Sequence, residues 1–231
     1  PAVATWFGMD WTILFPLYAI ILLVTFLWVR SIRIVEKKNI DASPASFSSC
    51  IRLLGNPFVF MMVLGIFLYV GAEVSMSAQI PILMEKVYGI SDFGLWLAWA
   101  LFFLPIFIGR LIGAFILRSM KAGKFLMLTV ILSLAGMVML FFGSQYVAFA
   151  GIFMVGLGFA NIFPLIFSIT VDTLPDRANE LSGLMVTAIV GGAIIPPITG
   201  YVADINVLLG FLVPATCIIY IMFLALKSVR K

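Results

Sequence analysis

Apolar residues run along this chain in long unbroken stretches divided by short polar links, without the strict alternation of a half-buried sheet. Crossing a bilayer takes about 20 residues of helix. On that measure the pattern predicts seven spans: Trp11–Val29, Pro57–Met84, Phe93–Leu117, Phe125–Gly143, Tyr146–Thr170, Leu181–Ala203 and Gly210–Leu226. Runs this continuous favour helices over a barrel, whose strands alternate at period two. The longest link, Arg30–Asn56, is polar, with ASPASFSS in its middle, and its end, CIRLLGNP, predicts a short interfacial helix.

The stretch Asn161–Asp204 holds the sharpest interruptions. Pro164 falls inside the fifth span, and Gly191, Gly192, Pro196 and Pro197 fall inside the sixth. Proline removes a backbone donor and crowds the preceding turn, so both helices are expected to kink or unwind locally. Carbonyls freed within a membrane need protein partners or a watery cavity. Two consecutive spans broken in this way point to a pathway through a bundle, with Gly191, Gly192, Pro196 and Pro197 as its hinge.

Composition adds that the chain is 64% hydrophobic and 10% charged, which excludes a soluble globular domain. Histidine is absent, which removes histidine-based catalysis and most zinc sites; no cofactor or metal is expected. Cys50 lies in a polar link and Cys217 in an apolar run, so no disulfide between them is expected. The net charge of +4 does not indicate nucleic acid, because the bases sit in short clusters between apolar runs. Apart from Lys86 and the intramembrane Arg110, every Lys and Arg falls in links on one side of the membrane or in the tail. Positive charge marks the cytoplasmic side, so the N-terminus is expected outside and the C-terminus in the cytoplasm. The chain begins at Pro1 with no basic residue before its first apolar run, the pattern expected of a piece of a longer protein.

Polar groups inside the spans sharpen this picture. Charged groups at depth cost about 2.5–3.5 kcal/mol on insertion scales and normally face a bundle interior. Glu73 lies past the middle of the second span, with Tyr69 and Ser77 four residues to either side on the same helical face. Gln79 is nearer the outside, Arg110 toward the cytoplasmic end of the third span, and Asn161 deep in the fifth. The second, third, fifth and sixth spans are therefore expected around a pathway, and the first, fourth and seventh at the lipid. Tyr69, Glu73, Ser77, Gln79 and Asn161 are the candidate ligand-binding residues. Each has a plainer reading: Glu73 as a buried hydrogen-bonded carboxyl, Asn161 as glue between helices, Gln79 as a solvated end group. Trp96 and Trp99 fit a ring-stacking surface or an interfacial aromatic belt equally, and Gly109 with Gly113 fits close helix packing. Arg110 and Arg118 are expected to pair with Asp172, Asp176 and Glu180 when the cytoplasmic side is closed, as a gating latch.

Four stretches in order resemble the major facilitator superfamily, specifically transporters of the fucose/glucose–galactose permease type: NPFVFMMVLGIFLYVGAEV, GRLIGAFILRSMKAGKF, GLGFANIFPLIFSIT and SGLMVTAIVGGAIIPPITGYVAD. The resemblance covers most of Asn56–Asp204. It implies an all-α membrane protein whose seven helices correspond to helices six to twelve of a twelve-helix fold, with sugar bound between two halves that rock. Residues 1–29 would then be the last helix of the N-terminal half, 30–56 the cytoplasmic central loop, and 57–231 the C-terminal six-helix bundle. The implied partners are a hexose or 6-deoxyhexose, protons, membrane lipid and the missing N-terminal half; the implied location is the inner membrane. Leu165 follows Phe163-Pro164 where relatives often have a small polar residue. The acidic residues that the family uses for proton coupling would lie in the missing half. The expected function is sugar permeation, not enzymatic chemistry. The rival readings are a complete seven-helix receptor and a transporter of the same fold for a non-sugar solute.

Overall fold

A computed structural model describes residues 10–32, 47–90, 94–142 and 144–229 of the chain. Arg33, Lys37, Lys38 and most of the serine-rich link lie outside the described residues, as do Arg230, Lys231 and the expected span ends Phe93 and Gly143. Two compact units are formed, Pro1–Ser43 and Pro44–Lys231. In the first, the described structure is a helix, α1 (Leu14–Ser31), which has no buried residue and carries Arg30 in its last turn.

The second unit is wholly helical among its described residues. It begins with α2 (Phe47–Leu54), the interfacial helix, which starts three residues ahead of its expected position. Asn56 then accepts a hydrogen bond from the Phe58 amide at 2.9 Å and Pro57 takes the first helical position, where no amide is needed, so α3 (Pro57–Lys86) starts at once. Gly89, with φ of 69°, and the Ile90 amide bonded back to the Met84 carbonyl at 2.9 Å stop the chain after it. The third span, α4 (Trp96–Ile116), contains a wide π turn at Trp99–Phe103, immediately ahead of Pro105. Such turns arise where the regular ladder is interrupted, and Pro105 has no amide to give to the turn before it.

Two helices, α5 (Ala122–Phe142) and α6 (Gln145–Phe159), form a closely packed hairpin. Gly136 and Gly151 make this possible, because a Cβ on either would sit 2.5–2.6 Å from the other's carbonyl oxygen. Small residues at such crossings let backbones approach, which is how helices associate when lipid removes the hydrophobic drive. The fifth span breaks at Ala160–Asn161 and resumes as α7 (Ile162–Thr173). The sixth is α8 (Ala178–Thr187), a tight turn at Ala188–Val190, then α9 (Gly191–Ile205), which runs through Pro196 and Pro197. The last is α10 (Leu212–Val229).

All seven expected spans are present as helices long and apolar enough to cross a membrane. The largest boundary change is in the sixth, which begins at Pro175 instead of Leu181. Ile66, Tyr69, Met76, Phe102, Leu126, Phe159 and Ile218 fill the interior at 0–1% exposure, while Phe107, Phe115, Phe142 and Tyr201 are exposed by 60% or more. Large apolar side chains on the outside suit lipid as solvent. Cys50 and Cys217 are both free thiols.

Candidate functional site

The break in the fifth span is where the site is built. Pro164 has no amide to donate to the Ala160 carbonyl one turn earlier, so that carbonyl needs a partner from elsewhere. Arg110 of α4 supplies it, its Nε donating to Ala160 O at 3.2 Å. The preceding carbonyl, of Phe159, accepts from the Tyr69 hydroxyl of α3 at 2.8 Å. Asn161, at the break itself and 6% exposed, donates through Nδ2 to the Gly109 carbonyl at 2.8 Å. A Cβ at Gly113 would collide with the Asn161 side chain, and one at Gly109 would come within 2.6 Å of the Ala160 Cβ. The two glycines thus let α4 lie against the broken backbone. Three helices are joined here by side-chain hydrogen bonds to backbone carbonyls, one of them the carbonyl that Pro164 leaves free.

Glu73 stands one turn beyond Tyr69 on α3. Its Oε1 lies 4.0 Å from Nη2 of Arg110, at the outer limit of an ion pair, with the carboxylate side chain 23% exposed and the guanidinium 57% exposed. Both groups therefore keep unused hydrogen-bonding capacity facing open space. Phe163 and Phe167 of α7 stack at 6.3 Å with 16° between planes, and Phe163 lies 6.5 Å from the Tyr69 ring, one turn from Glu73 on α3. A carboxylate acceptor and a forked donor, with the Tyr69 ring linking them to the Phe163–Phe167 stack, can engage a polyhydroxyl ligand.

The other expected site residues are dispersed. Ser77 donates to the Val74 carbonyl of its own helix at 2.8 Å. Gln79, for which a solvated end group was the plainer reading, is 3% exposed, its Nε2 3.4 Å from the Thr199 carbonyl and its Oε1 without a donor. The cause is close packing of the segment after α9: a Cβ on Gly210 would sit 2.7 Å from the Ala203 Cβ and 3.3 Å from Gln79 Nε2. The expected latch is not formed here. Among the described residues neither Arg110 nor Arg118 forms an ion pair with Asp172, Asp176 or Glu180. Arg110 is beside Glu73, Arg118 lies 5.4 Å over the Phe115 ring, Asp172 accepts from Ser168 at 2.9 Å, and Glu180 is held by Arg177. Of the hinge residues, Gly191 packs so closely on the Phe67 backbone that a Cβ would overlap its carbonyl, and Gly192 faces Val70 and Val74. Pro196 and Pro197 stay within the continuous α9. Exposed Trp99 lies in the π turn. Among the described residues there is no cluster of three or more metal-ligating side chains.

The site's stacked Phe163 and Phe167 were not singled out from the sequence. Their signal was available: they flank Pro164 at i and i+4, on one face of the helix that restarts after the break.

A multi-pass helical bundle with broken helices and an intramembrane acid–arginine pair at the break has the architecture of a membrane transporter. This chain belongs to the Major Facilitator Superfamily, which it matches over residues 1–197. It is 32% identical to a putative glucose/galactose transporter of Helicobacter pylori over 75% of its own length and 44% of that protein. It is 34% identical to a glucose/galactose transporter of Brucella abortus over 71% of its length and 40% of that protein. It is 27% identical to the L-fucose-proton symporter of Escherichia coli over 90% of its length and 49% of that protein. The crystal structure of the superfamily transporter FucP in the outward conformation superposes with a TM-score of 0.77 at 24% identity, covering 91% of this chain and 52% of that one. The chain thus spans less than half the length of these curated relatives. It is a multi-pass membrane protein of the superfamily fold, and that membership replaces the seven-helix receptor reading.

Proposed function

We propose that the chain is the C-terminal portion of a sugar permease that moves a hexose or 6-deoxyhexose across the inner membrane by alternating access, coupled to protons. The observation that carries this reading is the Glu73–Arg110 pair, loose and partly exposed, one helical turn from a Tyr69 ring that adjoins the Phe163–Phe167 stack. Sugar hydroxyls suit it: carboxylate and guanidinium give charge-assisted hydrogen bonds, and an aromatic face packs on the ring. The names of the relatives, glucose/galactose transporter and L-fucose-proton symporter, support the same substrate class. In this reading residues 1–29 end the N-terminal half, 30–56 form the central loop and 57–231 form the six-helix bundle. Tyr69 and Asn161 shape the site by satisfying backbone, while Ser77 and Gln79 lie outside it in this conformation. Arg118 and Asp172 act in gating at the basic end.

The test is uptake into vesicles by the intact polypeptide that contains this chain, with a panel of radiolabelled hexoses and 6-deoxyhexoses under an imposed proton gradient. Accumulation of at least one, collapsed by an uncoupler, supports the reading. Absence of uptake across the panel, with uptake of an anion or drug, would favour the non-sugar alternative. Orientation is checked in a background lacking the native thiols. Cysteine at Asn206 should react with an impermeant reagent from outside, and at Lys121 and Asn179 only from inside; an exchange of the two sets overturns it.

A further inference from the structure

A cavity that shares no residue with the Glu73–Arg110 site lies at the end of the bundle where α3 begins and α7 and α10 finish. Its volume is about 290 Å³, and it is lined by Phe58, Met61, Met62, Ile169, Leu224 and, at the polar end, Thr173, Lys227 and Ser228. The interior wall is apolar and contains two methionines, whose unbranched side chains adapt to flexible guests. The volume is at the small end of ligand pockets, which run from about 300 to 1,000 Å³. It takes a segment of a chain, not a whole folded ligand.

The polar end is unevenly committed. Thr173 donates its hydroxyl hydrogen to Ile169 O at 2.7 Å and Ser228 donates to Leu224 O at 2.9 Å, each within its own helix. Exposed Lys227 has no such commitment. Its Nζ reaches Met61 Sδ at 3.6 Å and lies 4.6 Å over the Phe223 ring, and among the described residues it forms no ion pair. Further positive charge stands next to it. Gly123, between Lys121 and Lys124, packs on the Ser228 carbonyl, to which an added Cβ would come within 2.6 Å. The acid nearest in sequence to the lining, Asp172, has its carboxylate hydrogen-bonded to Ser168 on α7. An apolar slot between membrane helices with an unpaired ammonium at its mouth is complementary to an anionic headgroup carrying an acyl chain.

We propose that this cavity binds an anionic phospholipid of the surrounding leaflet, with the upper acyl chain between Met61, Met62 and Leu224 and the phosphate on Lys227. The site differs from the proposed sugar site at Glu73 and Arg110 in its residues and in its chemistry. Its test uses the intact polypeptide in nanodiscs containing photoactivatable phosphatidylglycerol or photoactivatable phosphatidylcholine, followed by peptide mapping. Phosphatidylglycerol should label the segments 58–62 and 224–228, and phosphatidylcholine should label them several-fold less. Lys227→Gln, a change at an exposed side chain, should lower the phosphatidylglycerol labelling about fivefold. Met61→Trp, which fills the slot and keeps the charge, should abolish it. Equal labelling by the two lipids, no labelling of these segments, or labelling unmoved by Lys227→Gln would overturn the proposal.

Discussion

Two acid–arginine pairs in this molecule are built in opposite ways. Glu180 and Arg177, three residues apart at the start of α8, are joined by two hydrogen bonds of 2.7 and 2.8 Å, with the carboxylate side chain 6% exposed. Glu73 and Arg110 come from different helices, touch at one point at 4.0 Å, and leave the guanidinium largely open. A bidentate pair satisfies both partners and fixes a local geometry. A loose pair leaves both with hydrogen-bonding capacity that a ligand can complete. On the proposed function, the difference separates a structural clamp from a binding surface. It also explains why the clamp sits in a sequence-local turn while the open pair needs three helices and a broken backbone to assemble.

Arg110 gives the largest expected separation between the two. Lys keeps the charge but loses the planar fork, so it cannot both satisfy Ala160 O and face Glu73. Arg110→Lys should lower sugar uptake by the intact protein about tenfold or more, the scale of one lost charge-assisted bond. Glu180→Gln should leave uptake within about twofold and lower the melting temperature by a few degrees, because it weakens only the clamp. Equal losses of uptake in the two variants would remove the distinction drawn between the pairs.

Much of this was legible in the sequence because lipid imposes simple rules. Span number, helical character and the breaks near Pro164 follow from run length and from proline's missing amide. The inward aspect of Glu73 follows from the cost of a carboxylate in lipid. Partner choice was harder. Arg110 lies toward the C-terminal end of the third span, yet its long side chain stands beside Glu73 and reaches the break in the fifth span. The same reasoning that found Pro164 held the missing step: a freed Ala160 carbonyl in lipid needs a strong donor, and Arg110 is the arginine inside a span. The burial of Gln79 was hidden for a different reason. Its burial depends on Gly210 and Ala203, more than a hundred residues away, and no local pattern reports that contact.

The central claim, that Glu73 is a sugar ligand completed by substrate, is tested most directly by sugar binding to the intact protein carrying Glu73→Gln, measured as a dissociation constant across pH. Gln keeps the shape and one acceptor but loses the charge. Binding should weaken about tenfold at every pH, while proton-independent sugar exchange survives at saturating sugar. Normal affinity with gradient-driven accumulation lost would make Glu73 a proton carrier instead, and normal affinity with normal accumulation would leave it a structural partner of Arg110; either result contradicts the account.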